Sequence, residues 1–447
     1  MQNLSSTRQV AKLVIVSFAL MLIASLTACG GGPSFSGGST SSGSTSGPVN
    51  LTFWSWVPGI DKSVAEFNSS HPNIHVTWSN PGASTALYNK LYTAIKANNE
   101  PDLGQVEYEY LPTFETTGSL VDLSQYGANA VKNQFVPWTW GQVALGSAVY
   151  AIPQDSGPMA MFYRSDLFKK YNIPVPTTWA QYADAAAKLH AADPNDYITD
   201  FNPKQSAQFA GLVWQAGGHL FSINGQSWKV SINSPQAQQV ASYWQDLLNK
   251  KLVKTEPDFA NGWYHDLQTG AVATWISAVW GASTISSNAP QSSGKWSVAP
   301  MPQWQAGQAL AGNWGGSTDV VFKSTKHPKE ATEFALWLNS DQQSLNEMIK
   351  AASIFPAYQS ALNSPSLSLN SPQPFFGNQA IGPIFNHSST EVDVNFQWGP
   401  TINQVYADLG DNFTNAVNGK GTLTNSLDTV QQSTTTFMKK QGFTVST

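Results

Sequence analysis

The stretch AVYAIPQDSGPMAMFYRSDLFKKYNIPVPTTW, Ala148 to Trp179, decides the fold. Val149 to Ile152 is a short apolar run stopped by Pro153, which reads as the end of a strand. Gln154, Asp155, Ser156 and Gly157 form a polar link with neither helical nor strand period. Met159 to Tyr163 is apolar and β-prone again, and Ser165 to Tyr171 reads as one short helix. Ile173 to Pro176 is extended, because Pro174 and Pro176 each push the preceding residue out of the α region. Thr178 opens a helix with Gln181 three residues on, the spacing of a capping box. Two strands joined by a four-residue polar link suit a crossover between two lobes.

On the N-terminal side, VNLTFWSW (Val49 to Trp56) is a β-prone run broken by Pro58 and Gly59. Asp61 is placed to cap a helix carrying Ile60, Val64 and Phe67 on one face. Ile74, Val76 and Trp78 alternate as a strand, Thr85 to Ala97 has helical spacing, and a third strand ends near Val106. On the C-terminal side, Ser234 to Lys250 reads as a helix and Gly270 to Ser277 as a strand. Ser297 to Pro302 reads as a second crossover, and Asn313 to Phe322 as a returning strand. Pro328 opens a helix, and two long helices cover Thr401 to Val417 and Leu423 to Met438. Strands alternating with helices define an α/β layered architecture.

Several of these segments, in this order, resemble the extracellular solute-binding proteins of sugar ABC transporters, the maltose-binding-protein group. The likeness lies in AIPQDSGPMAMFYRSDLF, in VPTTWAQYADAAAKL, in PDLGQVEYEYLPTFETTGSLVDLSQY and in the Gly217-Gly218 pair that closes an apolar helix. It covers roughly residues 50 to 440. Two positions depart from the pattern: Arg164 stands where many members carry Asn, and His219 where an acid is common. The resemblance implies a two-lobed periplasmic-binding-protein-like fold with a hinged cleft between the lobes. Each lobe would be discontinuous, with 49–154 and 303–354 in lobe 1 and 155–302 and 355–447 in lobe 2.

The N-terminus carries a separate signal. Arg8 and Lys12 precede an uncharged, mostly apolar run from Leu13 to Leu26, too short to span a bilayer comfortably, which reads as a secretory signal over residues 1–28. Leu26-Thr27-Ala28-Cys29 resembles the bacterial lipobox, whose Cys receives a lipid and becomes the mature N-terminus. Cys29 is the only cysteine, so the chain has no internal disulfide and no Cys-rich metal site. Residues 29–48 are almost all Gly, Ser, Thr and Pro. A flexible coil of that length would hold the folded part on the order of 25 Å from its anchor.

Charged residues make up only 11% of the 447, and the net charge of −5 gives no reason to expect nucleic acid, which needs clustered Lys and Arg. No G-x-S-x-G, Walker A, H-E-x-x-H or G-x-G-x-x-G motif occurs. His71 and His75 are four apart, but Pro72 between them and a strand from Ile74 argue against a metal pair. The reading therefore assigns no catalytic residue, no cofactor and no metal.

The 17 Trp are several times more than an average chain carries; most must be core, and the surplus fits a surface that stacks on flat rings. A sugar has an apolar face and a rim of hydroxyls, so its binder needs aromatics for one and carboxyl or amide groups for the other. Strand exits supply candidates: Trp54, Ser55 and Trp56 after the first strand, and Glu107, Tyr108, Glu109 and Tyr110 after the third. Glu107 and Glu109, two apart on a strand end, would point the same way, either to ligand hydroxyls or to solvent as a surface pair. Asp155 would either bind ligand or orient the crossover. Trp314 sits in Asn-Trp-Gly-Gly. The resemblance implies stacking roles for Trp280, after the strand GAVATWIS, and Trp398, before the long C-terminal helix. Trp244 and Trp337 lie on helical apolar faces and belong to the core.

The expected protein is a monomeric, lipid-anchored substrate-binding protein on the extracytoplasmic face of the cell membrane. It captures a neutral carbohydrate, an oligosaccharide in particular, by hinge closure and hands it to an ABC permease. A rival reading is a secreted glycosidase, with Glu107 or Glu109 and Asp155 as its acid and base. Another keeps the fold and changes the cargo to a peptide or polyamine.

Overall fold

The computed structural model describes residues 47–446. The signal segment 1–28, the lipobox Cys29 and nearly all of the 29–48 tether lie outside the described residues. Among the described residues no helix is long and apolar enough to cross a membrane.

Lobe 1 is built on a five-stranded sheet. Its first strand, Val49–Trp54, buries Leu51 and Phe53 on one side and turns Asn50 and Thr52 to solvent. That period of two fixes its parallel register with Ile74–Ser79, Leu51 opposite Val76 and Phe53 opposite Trp78. Leu103–Glu107 pairs with its other edge, also in parallel. Ser317–Val321 then inserts antiparallel between Leu103–Glu107 and Ala151–Pro153. All five residues of that inserted strand are buried, as a central strand covered on both faces must be. Helices Ile60–Ser70 and Pro328–Ser340 cover the sheet, and Phe67 meets Phe334 edge-on at 4.9 Å between ring centroids. Gly59, with φ 78, stands at the N-cap of the first helix, and Asp61 lies inside its first turn rather than at the cap.

Lobe 2 carries a three-stranded antiparallel sheet with Met159–Arg164 between Thr274–Ala278 and Trp296–Ala299. Ser297 to Ala299 is thus a strand of lobe 2, not a crossover. Arg164 is buried and explains its own departure from the family pattern. Its Nε and Nη2 donate to both oxygens of Asp166 at 2.8 and 2.7 Å, and Nη1 donates to the carbonyls of Leu267 and Gln268. It therefore ties the sheet to the Asn261–Thr269 helix by a fork that Asn could not span. The helix Trp179–Ala192 starts as its sequence requires: Thr178 Oγ1 accepts from the Gln181 N–H, and Gln181 reaches back to the Thr177 N–H.

Three segments cross between the lobes. The first is Gln154 to Pro158. The second arrives late, because Gln303 still bonds to Thr177 and Trp179 of lobe 2 and Gly312 still accepts from Met159. The return to lobe 1 falls at 313–317 rather than at 303. The third runs through Phe355 to Ala357, where Ser156 donates to Phe355 and Ala357 donates to Gln154.

Candidate functional site

The hinge is a set of short backbone contacts between these crossings. Trp314 N–H donates to Gly157 at 2.9 Å, and Gly157 N–H donates to Asn313 Oδ1 at 2.9 Å. Only glycine fits there, since a Cβ on Gly157 would stand 2.0 Å from the Trp314 carbonyl oxygen. Asp155 belongs to this frame. Its Oδ1 accepts the Ser317 N–H at 2.6 Å, and burial pushes its carboxyl up to about 7. Of the two roles open to Asp155, orienting the crossover is the one its contacts serve. Tyr108 is buried in the same frame, its hydroxyl donating to the Asp155 carbonyl at 3.0 Å and its ring against Gly316.

The lobe 1 wall forms where the third strand ends. Glu107 closes the strand and Tyr108–Tyr110 turn at once into a 3₁₀ turn, so the strand alternation stops there. The two carboxyls consequently take separate partners. Glu107 accepts from Ser84 Oγ at 3.0 Å and Tyr88 Oη at 2.8 Å. Glu109, nearly buried, accepts from Tyr406 Oη of lobe 2 at 3.2 Å. Burial raises both above the usual carboxylate range, Glu109 to about 8 with the nearby Glu107 charge adding to the effect. The solvated surface pair is therefore not what forms. Tyr110 is buried against Tyr88 at 4.7 Å, and Trp56, half-buried, stands edge-on to Tyr88 at 6.2 Å. Trp54 is also half-buried.

The lobe 2 wall is aromatic. Trp280 is half-buried and donates its Nε1–H to the Trp314 carbonyl at 3.0 Å, its ring edge-on to Trp314 at 4.7 Å. Trp275 and Trp263 pack beneath, both fully buried. Phe259 covers the cluster and is 42% exposed, at φ 63. A bulky side chain in the left-handed region costs about 1–2 kcal/mol relative to ordinary backbone, so its presence there calls for an explanation. Next to it, buried Asp258 stands beside Asp200 as a carboxyl pair, both raised by burial before any other cause. At the other end Trp398 packs against Phe396 at 4.8 Å and faces Tyr406 at 6.4 Å.

The structure corrects several expected site residues. Ser55 is fully buried and donates to Gln105 Oε1 at 2.8 Å, so it supports the first strand exit instead of facing a ligand. Tyr108 is part of the hinge, and Trp314 is the buried backing of Trp280. Trp398 is only 3% exposed, yet it borders a cavity at the lobe boundary. Trp337 is half-buried, edge-on to Phe67 at 5.2 Å. Phe259, Tyr406, Asp200 and Asp258 escaped the sequence reading. Phe259 and Asp258 fall in a loop with no periodic pattern, and Tyr406 looked like one more residue of an amphipathic helix. Among the described residues no group of three or more His, Cys, Asp or Glu is placed to hold a metal ion.

Two sheets joined by three crossings, with polar and aromatic groups meeting across the lobe boundary, define the two-lobed binding-protein fold. The family model of bacterial extracellular solute-binding proteins matches residues 54–344, more than half of the chain, and the chain belongs to that family. It is 23% identical over 351 residues to the arabinooligosaccharide-binding protein of Bacillus subtilis, covering 74% of this chain and 77% of that one. Among solved structures it is similar to the galacto-N-biose-/lacto-N-biose I-binding protein of Bifidobacterium longum in complex with lacto-N-biose. That match has 29% identity and a TM-score of 0.80, over 90% of this chain and 99% of the other. It is also similar to an ABC-transporter-associated binding protein from B. animalis subsp. lactis in complex with β-1,6-galactobiose. There the identity is 26% and the TM-score 0.76, over 90% and 100%.

Proposed function

We propose that this chain captures a neutral oligosaccharide between its lobes and delivers it to an ABC permease. The observation that carries the reading is the make-up of the two walls. Trp280 and Phe259 offer ring faces on one side, and Glu109, Tyr406 and the Asp200–Asp258 pair offer hydrogen-bonding groups. None of these groups is a cation, which suits hydroxyl-rich, uncharged cargo. The sugars named with the similar proteins, arabino-oligosaccharide, lacto-N-biose and β-1,6-galactobiose, support the same cargo class. A ligand that touches both lobes favours the closed arrangement in which it is held, and the permease reads that arrangement.

The chain returns its sugar unchanged. Asp155, which the glycosidase reading needs as acid or base, is committed to the Ser317 N–H in the hinge. Attachment is by a lipid on Cys29, supported by the Leu26-Thr27-Ala28-Cys29 sequence. Cys29→Ser should then leave the domain folded and release it from membranes.

A thermal-shift screen of the purified protein against neutral mono- to pentasaccharides tests the function. A true ligand at a hundredfold excess over its Kd adds about 2.7 kcal/mol of stability, readily seen as a rise in Tm. No shift with any sugar, or steady release of hydrolysis products, would overturn the reading.

A further inference from the structure

Phe259 keeps a left-handed backbone while its ring faces solvent. A strained residue persists only where its surroundings fix it on every side. Trp263, Trp275 and Trp280 account for the ring side, at 5.4, 6.1 and 6.3 Å between centroids. The backbone side is held through its neighbour, Asp258.

Asp258 lies in the turn just before the Asn261–Thr269 helix. Its Oδ2 accepts from Gln205 Nε2 at 3.3 Å, at the start of the Ser206–Gln215 helix. Its other contact is Asp200, which ends the short strand Thr199–Asp200. Both carboxyls are buried, and each has one oxygen, Oδ1, with no donor in the protein. Two ionised carboxylates offer acceptors only, so they repel where they touch. One proton held between them turns the repulsion into a hydrogen bond.

Lys254 does not supply the missing positive charge. It stands opposite Asp200 in the sheet, but its ammonium goes to Asp266 and Glu256. The other groups around the pair are the Trp263 indole beside Asp200, Asn202 beside Asp258, the nearby Tyr182 and Tyr264 hydroxyls, and the Glu256 carboxyl. Of these only Glu256 carries charge, and its charge is negative. Burial, the like charge of the partner and Glu256 therefore all favour keeping the proton.

We infer that Asp200 and Asp258 are positioning residues for sugar capture: joined through one proton, they pin the turn that carries Phe259 and so hold its ring as a stacking platform. The inference rests on the sugar reading above, which counts the pair among the polar groups of the wall, and adds a task behind that wall. When the proton leaves, the two carboxylates repel, the turn gives and the ring is no longer held. Sugar affinity should fall as pH rises, by up to about tenfold, the same loss as removing the ring.

Titration calorimetry with lacto-N-biose, β-1,6-galactobiose and arabinotriose, from about pH 5 to about pH 9, tests this. The proteins are the wild type, Asp258→Asn, Asp200→Asn, Phe259→Gly and the double variant Asp258→Asn/Phe259→Gly. An amide brings its own N–H and gains no charge, so either Asn variant should remove part of the pH dependence, and one suffices where the other fails to fold. Phe259→Gly should remove the same part and the double variant no more, because the pair acts through the ring. Glu109 and the other raised carboxyls leave a common remaining slope in every one of these proteins. Full pH dependence in both Asn variants, or in Phe259→Gly, would overturn the inference. Near-UV circular dichroism of the ligand-free protein reads the indoles beneath Phe259 without any sugar. It should change over the same pH range in the wild type and stay level in the Asn variants. No change in the wild type would overturn the inference whatever the sugars do. If the change appears and none of the sugars binds, the failure lies with the sugar reading and not with the pinning of Phe259.

Discussion

Tyr406, on the long helix Ile402–Val417, donates its hydroxyl to Glu109 at 3.2 Å across the boundary between the lobes. The acceptor comes from a 3₁₀ turn at the exit of a lobe 1 strand and the donor from a lobe 2 helix almost three hundred residues later. The two lobes are therefore joined here by one hydrogen bond to a carboxyl that burial holds toward its protonated form.

Burial, then the neighbouring Glu107, raises Glu109 from 4.5 to about 8. A carboxyl raised in the folded state contributes stability that is complete below its unfolded pKa and lost as pH rises through the folded one. The Tm of the ligand-free protein should therefore fall as pH climbs from about 4.5 to about 8. Glu109→Gln should flatten that fall. The slope left in the variant belongs to the other carboxyls that burial raises, among them Asp155, Asp319, Glu115 and Glu256, each to about 7, and Glu107, Asp200 and Asp258. Identical slopes in wild type and variant would show that Glu109 does not titrate in this range.

Trp280→Ala and Trp263→Ala should behave oppositely. Trp263 is fully buried, and its removal should cost about 3–5 kcal/mol of stability with or without sugar. Trp280 is half-buried, so its removal should move Tm little and weaken sugar binding by about 2 kcal/mol, roughly thirtyfold. Denaturant melts paired with titration calorimetry separate the two. A Trp280 variant that unfolds easily yet binds normally when folded would return this residue to the core.

Phe259→Gly probes the strained platform. Glycine relieves a left-handed cost of about 1–2 kcal/mol and adds a backbone entropy cost of about 0.5–1 kcal/mol. These two nearly offset each other, and the lost packing of the ring on Trp263 and Trp275 leaves a modest net destabilisation, so Tm should fall slightly while sugar affinity drops about tenfold. A large fall in Tm with unchanged affinity would make Phe259 a packing residue only.

Gly157→Ala tests the hinge. The new Cβ would meet the Trp314 carbonyl oxygen at 2.0 Å, a backbone atom already fixed by the Trp280 indole N–H. The substitution should cost about 1–3 kcal/mol and push the crossings apart. A lower Tm and a larger radius of gyration by small-angle scattering are the expected readings, and no change in either would mean that the hinge yields freely.

Much of the scaffold was legible in the residues alone. The alternation of Leu51 and Phe53, the stop at Pro153, the Thr178–Gln181 cap and the amphipathic faces of the last two helices are local signals, and local backbone physics expresses them wherever the chain goes. The sequence also narrowed the cargo through its low charge and its many tryptophans. It did not say which tryptophans face out. Trp314 and Trp280 look alike along the chain, yet one is buried beneath the other because the second crossing folds back over the Thr274–Ala278 strand. Nor did it say that Ser317–Val321 would enter the first sheet antiparallel, that Asp200 would meet Asp258, or that Glu109 would face Tyr406. Those pairings join segments far apart in sequence. They are set by which buried surfaces fit once the lobes pack, and that fit depends on the whole chain at once.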